Sequence, residues 1–413
     1  MFKLLKNARV LLPDFSIKKG NILIQDENIY GVYDLEHIPN KPFDSEIELE
    51  GHLIFPGLIN SHDHLIDTCW KELGKCPVSD WHEWHTSVHS TDEYKRMQRL
   101  SVADLYTVGM YKNIISGITT VVDHFPPEVS GTFVGHNLIS LMDHIYVAHS
   151  VSENRLEWCG NLQEHYKKTN GILPFIVHVC EGNTKELHEE IESLNRLGAL
   201  NSNTILVNGV YLEEADIKLI SAKKASLIWL PNSNARLYGR QPNIKLISDL
   251  GIPVAIGTDS SDTGSTTLHS EFKTALNYSK DYLANKITAR TLVEMTTINA
   301  AKILGIDKEV GSIASGKVAN LIVFEDNQEY DPFDIFLNLN QEDFRMVVHK
   351  GKMVFGDSEF RKIPTVDFSQ YTEIRLNGKS KLLYGRPLQL IERIRHKLTE
   401  DIVFPFFNIE SDE

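Results

Sequence analysis

The segment Pro56-Gly57-Leu58-Ile59-Asn60-Ser61-His62-Asp63-His64 carries the strongest chemical signal in the chain. In extended backbone, residues i and i+2 point the same way, so His62 and His64 can converge on one metal ion. Two solvent-facing loop histidines would give the same pattern, and a chain with 17 histidines can supply them. The context favours ligands. The pair closes an apolar strand after a Pro-Gly turn, and barrel enzymes carry their catalytic groups at the C-terminal ends of strands. Two further strand ends offer matching groups. His178 lies in the apolar run Leu173–Cys180 with Glu181 three residues on, and Pro253–Gly257 runs into Thr258-Asp259. Singly, His178 also reads as a satisfied interior histidine and Asp259 as a helix N-cap. Together, His62, His64, His178 and Asp259 make a set suited to one divalent ion, Zn²⁺ before Fe²⁺, with a position open for water. Glu181 would lie beside that water as proton shuttle.

These groups need strands to hold them in register. The first fifty residues read as short strands with polar turns (Arg9–Leu12, Gly20–Ile24, Asn28–Val32). From Leu53 the pattern becomes βα units that run to about Leu304. The expected strands are Leu53–Asn60, Ile118–Asp123, Ile145–Ser150, Leu173–Cys180, Thr204–Val210, Ser226–Leu230 and Pro253–Gly257. Helical spacing between them, as in Leu187, Ile191 and Leu194, argues for an α/β fold with a parallel sheet. β character returns in Leu321–Phe324, Met346–His349 and Met353–Phe355. Residues 1–52 and 309–370 therefore read as one β-sandwich domain built from both ends, enclosing a barrel over 53–308. Residues 371–413 form an extension whose Leu388, Ile391, Ile394 and Leu398 follow helical spacing and could pack on a neighbouring copy in a homo-oligomer.

Composition narrows the partners. Lys plus Arg is 42 and Asp plus Glu is 56, so the net charge is 42 − 56 = −14, which disfavours nucleic acid and anionic membranes. No apolar run approaches the 18 or so residues that cross a bilayer, and Lys6, Asn7 and Arg9 interrupt any signal-peptide core. Four cysteines (Cys69, Cys76, Cys159, Cys180) form no CxxC pair. A reduced, cytoplasmic, soluble protein acting on a small molecule is expected, with no nucleic-acid or membrane partner.

The ordered motifs PGLINSHDHL (56–65), GITTVVD (117–123), HVCE (178–181), LPNSNARL (230–237), GIPVAIGTDS (251–260), INAAKILGI (298–306) and GSIASGKVANLIVF (311–324) resemble the amidohydrolase superfamily, in its cytosine deaminase and triazine hydrolase branch. The likeness covers roughly residues 1 to 365. It implies a distorted TIM-like (β/α)₈ barrel with a β-sandwich made by both termini. It also implies one metal at positions matching His62, His64, His178 and Asp259, and an acid/base group at Glu181. Two departures stand out. Where the superfamily carries a histidine in an HGV-like pattern, this chain reads Asn208-Gly209-Val210. Asn208 can hydrogen-bond a water or a substrate but cannot shuttle a proton. The stretch from His64 to His178 is also short for this branch, with only one clear βα unit between Asp123 and Leu173, so one barrel strand is expected to be missing or irregular.

Further pocket candidates are Trp81, in the loop after the first strand; His124, which follows Asp123 at a strand end; and Asn232 and Arg236, within the LPNSNARL motif. Each also has an ordinary structural reading: a packed loop helix for Trp81, and loop-orienting polar groups for the others. Cys180, adjacent to His178's strand face, should point away as a buried small hydrophobe. His269 and Glu271 read as structural, and Asp67 and Asp123 suggest no role. The function expected is hydrolysis of a C–N bond in a small polar nitrogen heterocycle, by deamination or amide cleavage. Two alternatives stay open: a cyclase or ring-opening enzyme on the same fold, which would tolerate Asn208 better, and a degenerate non-catalytic binding protein.

Overall fold

A computed structural model describes all residues except 71, 136–137, 152–159, 364–365, 400–403, 405 and 407–413. Both ends of the chain build one ten-stranded sheet. The N-terminal part supplies β1 (Phe2–Leu11), β2 (Ile17–Gln25), β3 (Asn28–Tyr33), β4 (Ser45–Glu48) and β5 (Leu53–Pro56). Eight parallel strands of the barrel follow: β6 (Leu58–Asp63), β7 (Ile118–Asp123), β8 (Ser140–Leu141), β9 (Tyr146–Ser150), β10 (Phe175–Val179), β11 (Thr204–Asn208), β12 (Ser226–Trp229) and β13 (Val254–Ile256). The C-terminal part returns to the sheet as β14 (Leu321–Phe324), β15 (Phe344–His349), β16 (Lys352–Asp357), β17 (Tyr371–Leu376) and β18 (Lys379–Tyr384). Its order is β17-β18-β16-β15-β14-β5-β1-β2-β3, with β4 on β1. β5 joins the two halves, since it pairs in parallel with β1 and antiparallel with β14.

Three elements differ from expectation. The run Leu53–Asn60 is two strands that diverge at Gly57, because Leu53–Pro56 pairs in the terminal sheet while Leu58 onward pairs with β7. The strand not found in the sequence exists as β8, only two residues long, with no helix between Leu141 and Tyr146. A run of two residues is too short to show period-2 alternation. The tail is more integrated than an extension: β17 and β18 extend the terminal sheet through β16. The helix Pro387–Leu398 buries Leu390, Ile391, Ile394 and Leu398 within this chain. Its Arg393 and Lys397 reach Asp104 at 2.6 Å each, on α3 (Val102–Ile114).

Two other helices precede α3 in the β6–β7 connection, α1 (Trp81–His89) and α2 (Asp92–Met97). The side chains of Asp80, Thr91 and Ser101 cap these three helices in turn, each accepting from the backbone N–H three residues on. α3 packs on β7 and places a fully buried cation beneath the barrel mouth. Lys112 Nζ lies 2.8 Å from Asp63 Oδ1, both side chains being 0% exposed. Asn113 Nδ2 donates to Asp63 Oδ2 at 2.8 Å, and Asn60 Nδ2 to the same oxygen at 3.1 Å. Asn60 also ties β6 to the residue that follows β13, donating to Thr258 Oγ1 at 2.8 Å and accepting from Thr258 N at 3.0 Å. Lys112→Met removes one partner of a buried pair, so a loss of about 3–5 kcal/mol is expected. Chemical denaturation checks this: the midpoint should fall, and a second change of Asp63→Asn in that background should recover part of the loss. An unchanged midpoint would show that the pair does not hold the barrel mouth.

Candidate metal centre and catalytic pocket

The barrel closes where the first and last strands meet. Thr258 N and Asp259 N both donate to His62 O, at 3.0 and 3.1 Å. A Cβ on Gly257 would lie 2.7 Å from the Cβ and backbone of His62, so only glycine allows this approach. The closure brings Asp259 beside both histidines of β6. His62 Nε2 lies 3.2 Å from His64 Nε2 and 3.1 Å from His178 Nε2. Asp259 Oδ1 lies 3.5 Å from His64 Nε2 and 3.9 Å from His62 Nε2. Tetrahedral ligands at zinc–nitrogen bond length stand about 3.3 Å apart, close to the distances of His62 Nε2 from His64 and His178 and of His64 from Asp259.

Protonation agrees. His178 Nδ1 lies 2.7 Å from the carbonyl of His149, which can only accept, so Nδ1 carries the proton and Nε2 the lone pair. Burial, reinforced by the neighbouring His64 ring, pushes His178 down to about 4, and burial drives His62 well below its ordinary value. Both are therefore neutral at pH 7, the form a metal ion requires. Ser233 Oγ donates to Asp259 Oδ2 at 2.6 Å, and Ser260 N to Oδ1 at 2.9 Å. This arrangement fits one divalent metal ion.

Left-handed backbone aims the groups that follow the strands. Cys180, Asn208 and Asp259 have φ of 50°, 68° and 60°, values that cost a non-glycine residue free energy and cluster at functional sites. At Cys180 the turn sends the thiol into the interior, where Sγ contacts Leu187 O at 3.2 Å, and brings Glu181 to the cavity. Tyr238 Oη donates to Glu181 Oε1 at 2.9 Å. Burial first, and then the Asp259 carboxylate, holds the Glu181 carboxyl well above the usual range. α1 is docked on the same loop, since Asn183 N donates to Ser79 O at 2.7 Å.

A cavity of about 460 Å³ opens over these groups, lined by His64, His124, His178, Glu181 and Asp259. Trp81, His85 and His89, at i, i+4 and i+8 of α1, share its wall with Trp84 and Tyr94. Their rings run in series: Trp81 to His149 at 4.2 Å between centroids, His85 to His89 at 3.7 Å and His89 to Tyr94 at 4.0 Å. Trp81 and His124 therefore line the cavity. Asn208, Asn232 and Arg236 do not. Asn208 is fully buried and donates to Asn234 Oδ1 at 3.0 Å. Asn232 spends its amide on Ser265 and Thr274 and its backbone N–H on Glu271. Arg236 holds the carbonyls of Asp262 and Leu73, at 2.9 and 2.7 Å. A polar side chain near a strand end satisfies loop backbone as readily as it meets a ligand, which is why the motif alone misdirects.

Sequence reasoning missed His89, His149, Asp67 and Asp262, all of which line the cavity. His149 carried a usable signal, standing one residue before the end of a barrel strand. It also missed Asp123, whose Oδ1 accepts from Leu65 N at 3.0 Å and whose Oδ2 accepts from Tyr106 Oη at 2.6 Å. Asp123 thus fixes the segment that leaves His64.

The amidohydrolase family model matches residues 161–354. Curated relatives extend the likeness over most of the chain. A 5′-deoxyadenosine deaminase from Methanobrevibacter smithii is 25% identical over 88% of this chain and 94% of its own. A 5-methylthioadenosine/S-adenosylhomocysteine deaminase from Pyrococcus furiosus is 25% identical over 77% and 85%. The chain thus resembles the amidohydrolase family over residues 161–354 and these deaminases over most of its length. Solved structures agree in fold. An adenosine deaminase from Xanthomonas campestris with bound zinc superposes with a TM-score of 0.71 at 17% identity, covering 96% of this chain and 97% of that chain. The atrazine chlorohydrolase from Arthrobacter aurescens complexed with zinc gives 0.70 at 16% identity, with 96% and 100% covered.

Elemental analysis of the purified protein should find close to one divalent metal per chain, and the His62→Ala plus His64→Ala variant almost none. A folded double variant that keeps its metal would place the ion elsewhere.

Proposed function

We propose that this protein deaminates an amino-substituted nitrogen heterocycle, with His62, His64, His178 and Asp259 holding one divalent ion and Glu181 moving the protons. The observation that carries this reading is His62 Nε2 close to both His64 Nε2 and His178 Nε2, with Asp259 Oδ1 beside His64 and Glu181 facing the same cavity. Zinc is the ion of this reading, as named for the two solved neighbours, and the same donors accept Fe²⁺. A divalent ion, when bound, lowers the pKa of a water it holds to about 7 and polarises an acceptor atom of the substrate.

The protein's own groups supply the rest. Glu181 takes the proton of the attacking water. The water oxygen forms a bond to the trigonal carbon bearing the amino group, Glu181 returns a proton to the leaving nitrogen, and the C–N bond breaks to release ammonia. Tyr238 donates to Oε1 and fixes which way the carboxyl faces. Trp81 and the rest of the aromatic wall offer flat apolar surface to a heterocycle. Ile66, Met97, Leu100 and Leu105 extend the cavity with space for an uncharged substituent. Adenine nucleosides modified at the 5′ position, named for the relatives, are the first compounds to test.

Ammonia release is the decisive assay. The metal-loaded protein should release ammonia from at least one compound in a panel of aminated purines, pyrimidines and triazines and their nucleosides. A protein that releases none, yet opens a cyclic amide or imide ring, would overturn deamination. Glu181→Gln should keep the metal and near-normal KM, while kcat falls by about 10²–10⁴-fold. Full turnover in that variant would remove Glu181 from the chemistry.

A further inference from the structure

His124 stands in the middle of the imidazole cluster, although neither the HxH pair nor the other ligand positions include it. Its ring centroid lies 4.4 Å from that of His178, 4.9 Å from His62 and 5.7 Å from His64. One ring nitrogen from each of His62, His124 and His178 lies within 4.8 Å of the others, and ligand atoms of His62, His64 and Asp259 form a second such triad, so that His62 belongs to both. The side chain is 1% exposed, and its backbone N–H donates to Asp63 O at 2.8 Å, which fixes the end of β7 against β6.

The tautomer of this ring follows from its partner. His124 Nε2 lies 3.1 Å from the carbonyl of Ala148. A carbonyl only accepts, so Nε2 carries the proton and the lone pair belongs to Nδ1. His178 is held in the same manner by the carbonyl of the next residue, His149. Two consecutive carbonyls of β9 therefore orient two imidazoles, one from β7 and one from β10. A backbone carbonyl that takes the proton of one ring nitrogen and directs the other nitrogen at an ion is the ordinary support of a metal-ligating histidine.

We propose that His124 is a fifth protein donor of the metal centre, presenting Nδ1 to the ion held by His62, His64, His178 and Asp259. This rests on the reading of that cluster as a divalent-metal site. The consequence is an ion crowded on its β7 side, so that water and substrate approach from the side of Glu181 and the aromatic wall of α1.

Cobalt(II) reports the donor count without turnover. In wild-type protein loaded with Co²⁺, each ligating imidazole contributes one hyperfine-shifted N–H proton to the NMR spectrum. Four such signals are expected, and three would overturn the proposal. His124→Ala should lose one signal. Its visible Co²⁺ bands should intensify, because lower coordination numbers absorb more strongly, and its retention of Co²⁺ against a competing chelator should drop at least tenfold. His124→Asn, which keeps a polar group of similar reach, serves if the alanine variant does not fold. Spectra and retention unchanged from wild type in a folded variant would overturn the fifth donor and leave the four-donor site standing. Wild-type protein that takes up no Co²⁺ would overturn the metal reading itself, and this inference with it.

Discussion

The contact on which this molecule depends is the one between the main chain of His62 and that of Gly257, Thr258 and Asp259. It is formed by two backbone hydrogen bonds to one carbonyl oxygen and by a glycine with no room for a side chain. The barrel closes at this point, and the same atoms set the distance between the β6 histidines and the aspartate that follows β13. Fold closure and ligand spacing are thus one constraint. Thr258 and Asn60 reinforce it from the side with paired hydrogen bonds, and the buried Lys112–Asp63 pair anchors Asn60 from below. A buried ion pair is weak evidence for stability, but here its geometry has a use. Lys112 and Asn113 together hold the carboxylate of the residue between two metal-directed imidazoles.

How far the sequence reveals this depends on whether a role is local. His62 and His64 are legible because strand periodicity alone makes them neighbours. His178, Glu181 and Asp259 are legible because strand ends in a parallel barrel share one rim. β8 is not legible, since two residues leave no pattern and its pairing with β7 is non-local. The same limit hides Asp123, whose partners are a backbone N–H across the barrel and a tyrosine on α3. Lys112 reads as an ordinary surface lysine on an amphipathic helix until tertiary packing buries it. Asn232 and Arg236 show the converse error: their motif marks a strand end correctly, yet hydrogen bonds to Ser265, Thr274, Glu271 and loop carbonyls consume their polar atoms.

The α1 wall belongs to a third category, legible in pattern but not in placement. Trp81, His85 and His89 obviously share a helix face, yet nothing local says whether that face meets solvent, core or cavity. The answer lies in the tie between Ser79 and Asn183, which docks the start of α1 on the loop that carries Glu181. The α1 wall and Glu181 are therefore fixed to each other directly, and both to β10.

The electrostatics of the cavity show why a cation fits here. Burial and neighbouring carboxylates push Asp67 and Glu181 up, and Asp262 to about 6, while burial drives His62, His124 and His149 down. Every shift runs toward the neutral form, which is the signature of charge removed from water without compensation. A divalent cation at the centre of these groups reverses that logic, stabilising carboxylates as anions and keeping imidazoles neutral as donors. The lone pair on His178 Nε2 already points at this position, with its proton committed to a backbone carbonyl on the far side of the ring. The protein's own backbone thus sets the tautomer of His178 and the polarity of the site toward what a divalent ion requires.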